Sequence, residues 1–253
     1  MYAEERQQAI LRRARAEGRV DVVSLAEELA VTTETVRRDL TVLERAGVVR
    51  RVHGGAIPIE RLGFEPGVAA RDAVMTGEKD RIAKAALAEL PDAGSLIIDA
   101  GTTTGRLVEA LPTDRELTVV VNSPPLAATL ATRSNITVLM LGGRVRGRTL
   151  ATVDEWGLAP LTQLCVDVAF MATNGVSVQH GLTTPDLAEA AVKRAMIGAA
   201  RRTVLLADHT KFGNDCLARF GLLGDVDVLI TDTGLDDETA ADVEQAGVRV
   251  VRA

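Results

Sequence analysis

Residues 96–107 read LIIDAGTTTGRL, and this stretch decides the fold that the sequence predicts. LIID has strand character, and GTTT is a short loop that leads into a helix. Gly101 lets the backbone approach a ligand closely, and a helix beginning here directs unpaired N–H groups and its positive dipole end at an anion. Thr102, Thr103 and Thr104 would add hydroxyls to an anion cradle, and Asp99 at the end of the strand would accept hydrogen bonds from hydroxyls of the same ligand. The same residues would also form an ordinary turn and helix cap.

Strand-like and helix-like segments alternate on both sides of this stretch. The apolar runs are LIID, LTVVV, ITVLML, VDVAFMA, TVLLA, VLIT and VRVV. Helical spacing covers Glu78 to Leu90, follows GTTT and Pro124-Pro125, and returns near 154–162, 186–199 and 236–246. Because the strands are apolar on both faces, the alternation predicts a mainly parallel sheet flanked by helices, an α/β architecture.

Polar residues and glycines follow successive strands. Ligands of open α/β sheets bind at the carboxyl ends of the strands, so we expect these residues to border one cleft. The GTTT loop and Lys211 would form its anion end, and Asp99, Asn122, Asn174 and Asp208 would bind hydroxyls of a sugar or polyol. Each residue alone would also suit an ordinary turn. The set is Asn122, Ser123, Gly142, Gly143, Asn174, Gly175, Asp208 and Lys211.

Glu189 and Lys193 lie four residues apart on a predicted helix that begins after Pro185. This spacing fits a surface ion pair, which would contribute only a few tenths of a kcal/mol. It also fits a pair that faces the ligand. In the second case the two residues belong to the effector site, or they serve a sugar-phosphate isomerase in which Glu189 is the base.

The first 57 residues predict a different module. Apolar residues recur at helical spacing over 4–16, and Ser24 with Glu27 has the spacing of a capping box for a short second helix. Thr32 or Thr33 would cap a third helix that ends at Gly47. Two short helices joined by a tight turn are the layout of a helix-turn-helix.

The segment VVRRVHGGAI after the third helix alternates Val with Arg and turns at Gly54-Gly55, which predicts a hairpin wing. Short hydroxyls and arginines on the third helix would reach phosphates and base edges, and the wing would contact backbone or minor groove. A solvated face with an ion pair to Glu34 is the alternative for the helical arginines. The candidate DNA-binding residues are Thr32, Thr33, Thr35, Arg37, Arg38, Thr41, Arg50, Arg51 and His53.

Composition and charge exclude further classes of protein and of binding site. The chain has 253 residues, a net charge of -6, 2% aromatic residues and two cysteines far apart in sequence. Few aromatics argue against base-stacking platforms, and the cysteine spacing indicates neither a disulfide framework nor a metal site. Residues 37–53 nonetheless hold five arginines against two acidic residues, a local basic patch. The charged N-terminus and the absence of a long apolar run predict a cytoplasmic protein without membrane segments.

Both halves carry one resemblance. The segment LAEELAVTTETVRRDLTVLERAGVVRRVHGGA, with Arg37, Arg38, Asp39 and Leu40 at its centre, resembles the N-terminal domain of the DeoR/GlpR family of bacterial transcription regulators. DAGTTT, VNS, LGG, NG, GLTTPDLAEAAVKRAM and LLADHTKFG are similar to the sensor domain of that family. The resemblance implies a fold like that of ribose-5-phosphate isomerase and the coenzyme A transferases, and a phosphorylated sugar or related metabolite as effector.

These observations together predict a ligand-responsive transcription regulator with three parts. Residues 1–57 would form a winged helix-turn-helix, residues 58–77 a linker, and residues 78–253 a larger α/β sensor domain. We expect repression of a sugar or polyol catabolic operon, release by a phosphorylated intermediate, and a homo-oligomer, dimer or tetramer, on double-stranded operator DNA. No cofactor, metal or catalytic residue is expected. The alternative is the isomerase-like enzyme.

Overall fold

A computed structural model of the chain describes residues 3–45, 48–58, 65 and 67–253. The N-terminal part packs three helices against a small antiparallel sheet in which β3 lies between β1 and β2. The predicted end of the third helix at Gly47 lies outside the described residues. The elements are α1 Ala3–Glu17, β1 Val20–Asp21, α2 Val22–Glu28, α3 Thr33–Arg45, β2 Val49–Val52 and β3 Gly55–Pro58.

The caps of α2 and α3 differ in how well the sequence predicted them. Thr32 caps α3, since its hydroxyl accepts a hydrogen bond from the backbone N–H of Thr35 at 3.2 Å. The predicted capping box at Ser24 is wrong. Asp21 caps α2 instead and accepts from the N–H groups of Val23 and Ser24, so this helix begins two residues before Ser24.

The hairpin turns one residue earlier than predicted, because Val52 already pairs with Gly55 and His53-Gly54 form the turn. Gly54 has a φ of +69°, which favours glycine. Gly55 is required for a different reason. A Cβ at Gly55 would lie 1.9 Å from the carbonyl oxygen of Val20, so glycine is what allows β1 to pair with β3.

The predicted linker contains a short helix that the sequence did not indicate. This helix, α4, spans Val68–Asp72 and is followed by α5 at Thr76–Ala86 and a 3₁₀ turn at Leu87–Glu89. The sequence predicted one helix from Glu78 to Leu90; the structure starts it earlier and ends it in the tighter turn.

The larger part of the chain is built on a seven-stranded parallel sheet with the order β15-β14-β12-β9-β4-β5-β6. The predicted fold class is confirmed. The strands are β4 Gly94–Ile98, β5 Leu117–Val121, β6 Ile136–Met140, β9 Val168–Ala172, β12 Thr203–Leu206, β14 Val228–Thr231 and β15 Arg249–Arg252. The connecting helices are α6 Thr102–Ala110, α7 Pro124–Leu130, α8 Glu155–Leu161, α9 Leu187–Gly198 and α10 Asp237–Gln245.

Two antiparallel additions were not predicted. Short strands with glycines at their ends carry little periodic signal, which explains why the sequence pattern did not reveal them. They form a two-stranded hairpin and a three-stranded sheet that are separate from the seven-stranded sheet. The strands are β7 Arg144–Val145, β8 Thr152–Val153, β10 Gly175–Ser177, β11 Gly181–Thr184 and β13 Ala218–Gly221.

Alternate residues of the central strands fill two apolar layers. Ile97 belongs to the layer against α8, α9 and α10, and its neighbours Leu96 and Ile98 belong to the layer against α5, α6 and α7. Burying one such side chain stabilises the fold by roughly 1.5–3 kcal/mol. Across the described residues, no helix has the length and apolar character needed to cross a membrane.

Candidate functional site

The sheet reverses its strand order between β4 and β9. The chain runs from β4 outward through β5 and β6, and then returns to pair β9 with the other edge of β4. A crevice opens at such a switch point at the carboxyl ends of the strands. Asp99 follows β4 and Ala172 ends β9, and the N–H of Ala172 donates to the Asp99 carboxylate at 3.1 Å.

Asp99 lies at the centre of a buried polar cluster. It is completely buried, accepts a hydrogen bond from Asn122 Nδ2 at 3.4 Å and forms an ion pair with Lys193 of α9. Burial raises the pKa of the Asp99 carboxyl even though Lys193 acts in the opposite direction. Asn122 also accepts from the N–H of Ala100 at 2.7 Å, so its amide holds the start of the GTTT loop.

Glu189, one turn before Lys193, is equally enclosed. Its carboxylate accepts from the hydroxyls of Thr149 and Thr184 and pairs with Arg146 Nη1 at 2.6 Å. Burial favours the neutral acid, but Lys193 and the hydrogen bonds from Thr149 and Arg146 outweigh it and lower the pKa of Glu189. The surface ion pair that the spacing of Glu189 and Lys193 also allowed is therefore wrong, because these two residues are only 3% and 4% exposed.

The GTTT loop begins α6 as predicted. A Cβ at Gly101 would lie 2.9 Å from the Cβ of Ala172, so only glycine fits between β9 and the helix start. Thr104 is buried and its hydroxyl donates to the carbonyl of Gly101 at 3.1 Å, which makes it part of the helix start. Thr102 and Thr103 line the adjacent cavity.

This cavity has a volume of about 960 Å³ and lies between the sheet edge and the N-terminal module. Its size suits a small metabolite. Several cationic side chains share its wall with the first turn of α6, and Asp208 stands beside them, with Lys211 Nζ 3.6 Å from Asp208 Oδ2. Lys211, Thr210 and Lys79 outweigh burial and lower the pKa of Asp208. The basic residues on the wall are Arg13, Arg19, Arg71, Lys79, His209 and Lys211.

The structure sorts the predicted effector residues into three groups. The cavity wall includes Gly101, Thr102, Thr103, Asn174 and Lys211. The buried residues, whose side-chain atoms bond to protein partners, are Asp99, Thr104, Asn122, Glu189, Lys193 and Asp208. The remaining residues lie in turns and strand ends, namely Ser123, Gly142, Gly143 and Gly175.

The predicted recognition helix exposes its arginines. The side chains of Arg37 and Arg38 are 53% and 81% exposed, and their nitrogens lie 3.9 and 3.6 Å from the Glu34 carboxylate. Exposed pairs of this kind contribute little to stability, so both guanidinium groups are open to a new partner. Asp39 is different. It is buried and holds α1 through Arg6 and Gln7, which gives it a structural role.

The hairpin of β2 and β3, the predicted wing, contacts the larger part of the chain in this structure. Arg50 Nη1 lies 3.4 Å from Asp215 Oδ2, and His53 Nδ1 lies 3.0 Å from Asp236 Oδ2. Arg19 joins both sides by donating to the carbonyl oxygens of His53 and Thr210. DNA contact by Arg50, Arg51 and His53 stays a prediction.

Sequence reasoning did not single out several residues of this region. Arg71 and Lys79 fell in or beside the predicted linker, and Arg146 follows a turn at Gly142-Gly143. Glu65 is buried and accepts from Arg146 and Asn174 at 3.0 and 3.1 Å. Arg71 precedes Asp72 in the sequence and Lys79 lies between Glu78 and Asp80, so the charge pattern held no signal that could have singled them out.

Comparison with known proteins agrees with this arrangement. The model of the DeoR-like helix-turn-helix domain matches residues 6–61, and that of the DeoR C terminal sensor domain matches residues 75–233. The chain is 37% identical to the HTH-type transcriptional regulator GlpR of Haloferax volcanii, over 91% of this chain and 90% of that protein. It is 30% identical to the glycerol-3-phosphate regulon repressor of Escherichia coli, over 92% of each chain.

Two solved structures align with the chain at lower identity. Ribose 5-phosphate isomerase A from Methanocaldococcus jannaschii aligns over 53% of each chain with 16% identity and a TM-score of 0.37. The probable sor operon regulator from Shigella flexneri aligns over 74% of this chain and 95% of that one, with 12% identity and a TM-score of 0.45. From its two family domains and its full-length relatives, the chain belongs to the DeoR/GlpR family of DNA-binding transcription regulators.

Proposed function

We propose that this regulator represses a sugar or polyol catabolic operon and is released from its operator by a phosphorylated intermediate. The observation that carries the proposal is the cavity in which the first turn of α6 and basic side chains share one wall. A helix start and cations attract an anion, and a volume of about 960 Å³ accommodates a small phosphate ester. The glycerol-3-phosphate regulon repressor among the relatives is consistent with this ligand class.

The predicted domain boundaries are also part of the proposal. We propose residues 1–57 as the DNA-binding domain, 58–77 as the linker and 78–253 as the sensor. Two recognition helices are needed to read a palindromic or repeated operator, so the working form would be a dimer or tetramer in the cytoplasm.

Operator binding measured with and without ligand tests the proposal. A panel of glycerol 3-phosphate, ribose 5-phosphate, fructose 1-phosphate and their unphosphorylated parents would be titrated against protein bound to DNA from its own promoter region. A differential affinity of about 2.8 kcal/mol between the two states changes operator occupancy about a hundredfold. We expect one ester to release the DNA and its parent sugar to have no effect. Unchanged footprints with every ester would refute the proposal.

The variant Thr103→Leu tests whether the ligand binds in this cavity. It places a bulky apolar side chain on the cavity wall and leaves the recognition helix untouched. We expect this variant to hold operator DNA and to lose its response to the active ester. A normal response would show that the cradle lies elsewhere.

The isomerase alternative receives less support from the geometry. Thr149, Thr184 and Arg146 hold the Glu189 carboxylate, and its lowered pKa makes it a weak base. We propose that the chain has no isomerase activity. Conversion of ribose 5-phosphate by the purified protein, lost in Glu189→Gln, would overturn that statement.

A further inference from the structure

Arg71 is held in an unusual state. It lies in α4, within the predicted linker, and lines the cavity. Its Nε and Nη2 atoms are buried and have no hydrogen-bond partner among the residues that the structure describes. Burying charged donors without partners is costly, because their hydration is lost and nothing replaces it. Such a guanidinium group can donate hydrogen bonds to an anion that enters the cavity.

Lys79 is the second cation at this place. It is 2% exposed and its Nζ donates to the carbonyl oxygens of Arg71 and Val74, the latter at 2.7 Å. These bonds fasten the end of α4 to α5. An ammonium group has three N–H donors, so one remains beyond the two bonds seen within the described residues.

Electrostatics indicate that the cations are near one another. Burial is the largest cause of a lowered Lys79 pKa, about 8, and repulsion by Lys211 and Arg71 adds to it. Asp208 and Asp72 act against this repulsion. Lys211 and Arg71 also line the cavity, together with Gly101, Thr102 and Thr103 at the start of the nine-residue helix α6.

We propose that Arg71 and Lys79, with Lys211, hold the phosphate group of the effector against the first turn of α6. This inference rests on the proposed function and adds to it the residues that would select a phosphate ester over a neutral sugar. Three cations and a helix start match a dianion with three oxygens better than they match a neutral sugar, and a guanidinium fork suits phosphate geometry.

One consequence concerns the linker itself. Arg71 belongs to α4, so the effector would be bound partly by the segment that joins the two domains. Ligand binding in the cavity would then change the position of α4 directly, and the central sheet would not need to move.

Calorimetric titration tests the assignment. Wild type, Arg71→Gln, Arg71→Lys and Lys79→Gln would each be titrated with glycerol 3-phosphate, ribose 5-phosphate, fructose 1-phosphate and inorganic phosphate. Arg81→Gln is the control, since Arg81 is about half exposed and lies on α5 beside Lys79. A charge-assisted hydrogen bond lost from a buried site weakens binding by roughly tenfold or more.

The expected result is a loss of about tenfold or more for the ester in Arg71→Gln and Lys79→Gln, a smaller loss in Arg71→Lys and none in Arg81→Gln. Thermal unfolding without ligand checks that each variant is folded, and Arg71→Lys keeps the charge if Arg71→Gln does not fold. Equal affinity in wild type and the Arg71 variants would overturn this inference and leave the proposed function standing. A wild type that binds neither inorganic phosphate nor any ester would overturn both.

Discussion

Arg50 of the wing and Asp215 of the sensor domain form an ion pair that joins the two halves of the chain. Arg50 Nη1 lies 3.4 Å from Asp215 Oδ2, and Arg50 Nη2 donates to the Asp215 carbonyl oxygen at 2.9 Å. The guanidinium group that the sequence assigns to DNA is thus held by a carboxylate of the same protein. A carboxylate and a DNA phosphate compete for such a group, so we expect this contact to oppose the predicted DNA binding by the wing.

Asp215→Asn removes the competing charge and keeps the size of the side chain. Because the pair is partly exposed, we expect operator affinity to rise by about two- to fivefold at low salt. Fluorescence anisotropy with a labelled operator duplex measures the change. Asp92→Asn, which removes one negative charge at the opposite edge of the sheet, is the control and should change the affinity less. Equal affinities for wild type and Asp215→Asn would show that the pair does not restrain the wing.

Arg37→Ala and Arg38→Ala test the recognition helix. Each should lower operator affinity by roughly 1–3 kcal/mol for a lost bidentate contact, and protein stability should change little because both side chains are exposed. Gel shifts with operator and scrambled duplexes at fixed salt separate base contacts from phosphate contacts. Arg12→Ala on the exposed face of α1 serves as the comparison. Unchanged shifts with the operator would refute the placement of α3 in the groove.

Asp39→Ala should destabilise the N-terminal module although Asp39 stands next to the two arginines. Asp39 is 4% exposed and accepts from Arg6 and Gln7 of α1, so its removal leaves partly buried donors without this partner. We expect a loss of about 1–3 kcal/mol in the free energy of unfolding, measured by urea titration. Glu34→Ala on the same helix removes an exposed carboxylate and should cost far less. Equal effects of the two variants would contradict a structural role for Asp39.

The lowered pKa of Lys79 predicts that the free energy of unfolding depends on pH. Its pKa is lowered from 10.5 to about 8, mainly by burial and then by Lys211 and Arg71, while Asp208 and Asp72 act in the opposite direction. Between these two values the folded state holds fewer protons than the unfolded state, so this group makes the free energy of unfolding rise with pH.

Urea titrations at pH 7.5, 8.5 and 9.5 measure this slope, and Lys79→Gln should reduce it. A bound phosphate ester favours the charged ammonium, so saturating ester should also reduce the slope in wild type. Arg81→Gln is the control. A slope that is the same in wild type and Lys79→Gln would show that Lys79 does not titrate in this window.

The sequence predicts most of the architecture because both periodicities are strong. The alternation of apolar runs and helices gave the parallel sheet, and Thr32 gave the start of α3. The capping box at Ser24 was wrong because Asp21, three residues earlier, offers a carboxylate to the same helix. Local spacing alone does not rank two competing caps.

The candidate site was predicted less completely. Residues that follow strands, such as Asp99 and Asn174, could be found because strand ends meet at one sheet edge. Arg71 and Lys79 could not, since their position depends on how α4 and the start of α5 pack over that edge. Nor does the sequence tell buried partners from wall residues; Lys193 pairs with Asp99, whereas Lys211 lines the cavity.

Residues 208–216 border the cavity through His209, Thr210 and Lys211 and meet the N-terminal module through Thr210 and Asp215. From the proposed function, we expect a mutation in this stretch to alter inducer sensitivity and basal expression together. Selection for a new inducer would meet fewer side effects at wall positions outside it, such as Thr102 or Asn174. We expect regulators of this type to diversify in specificity there first, and to keep the shared stretch as it is.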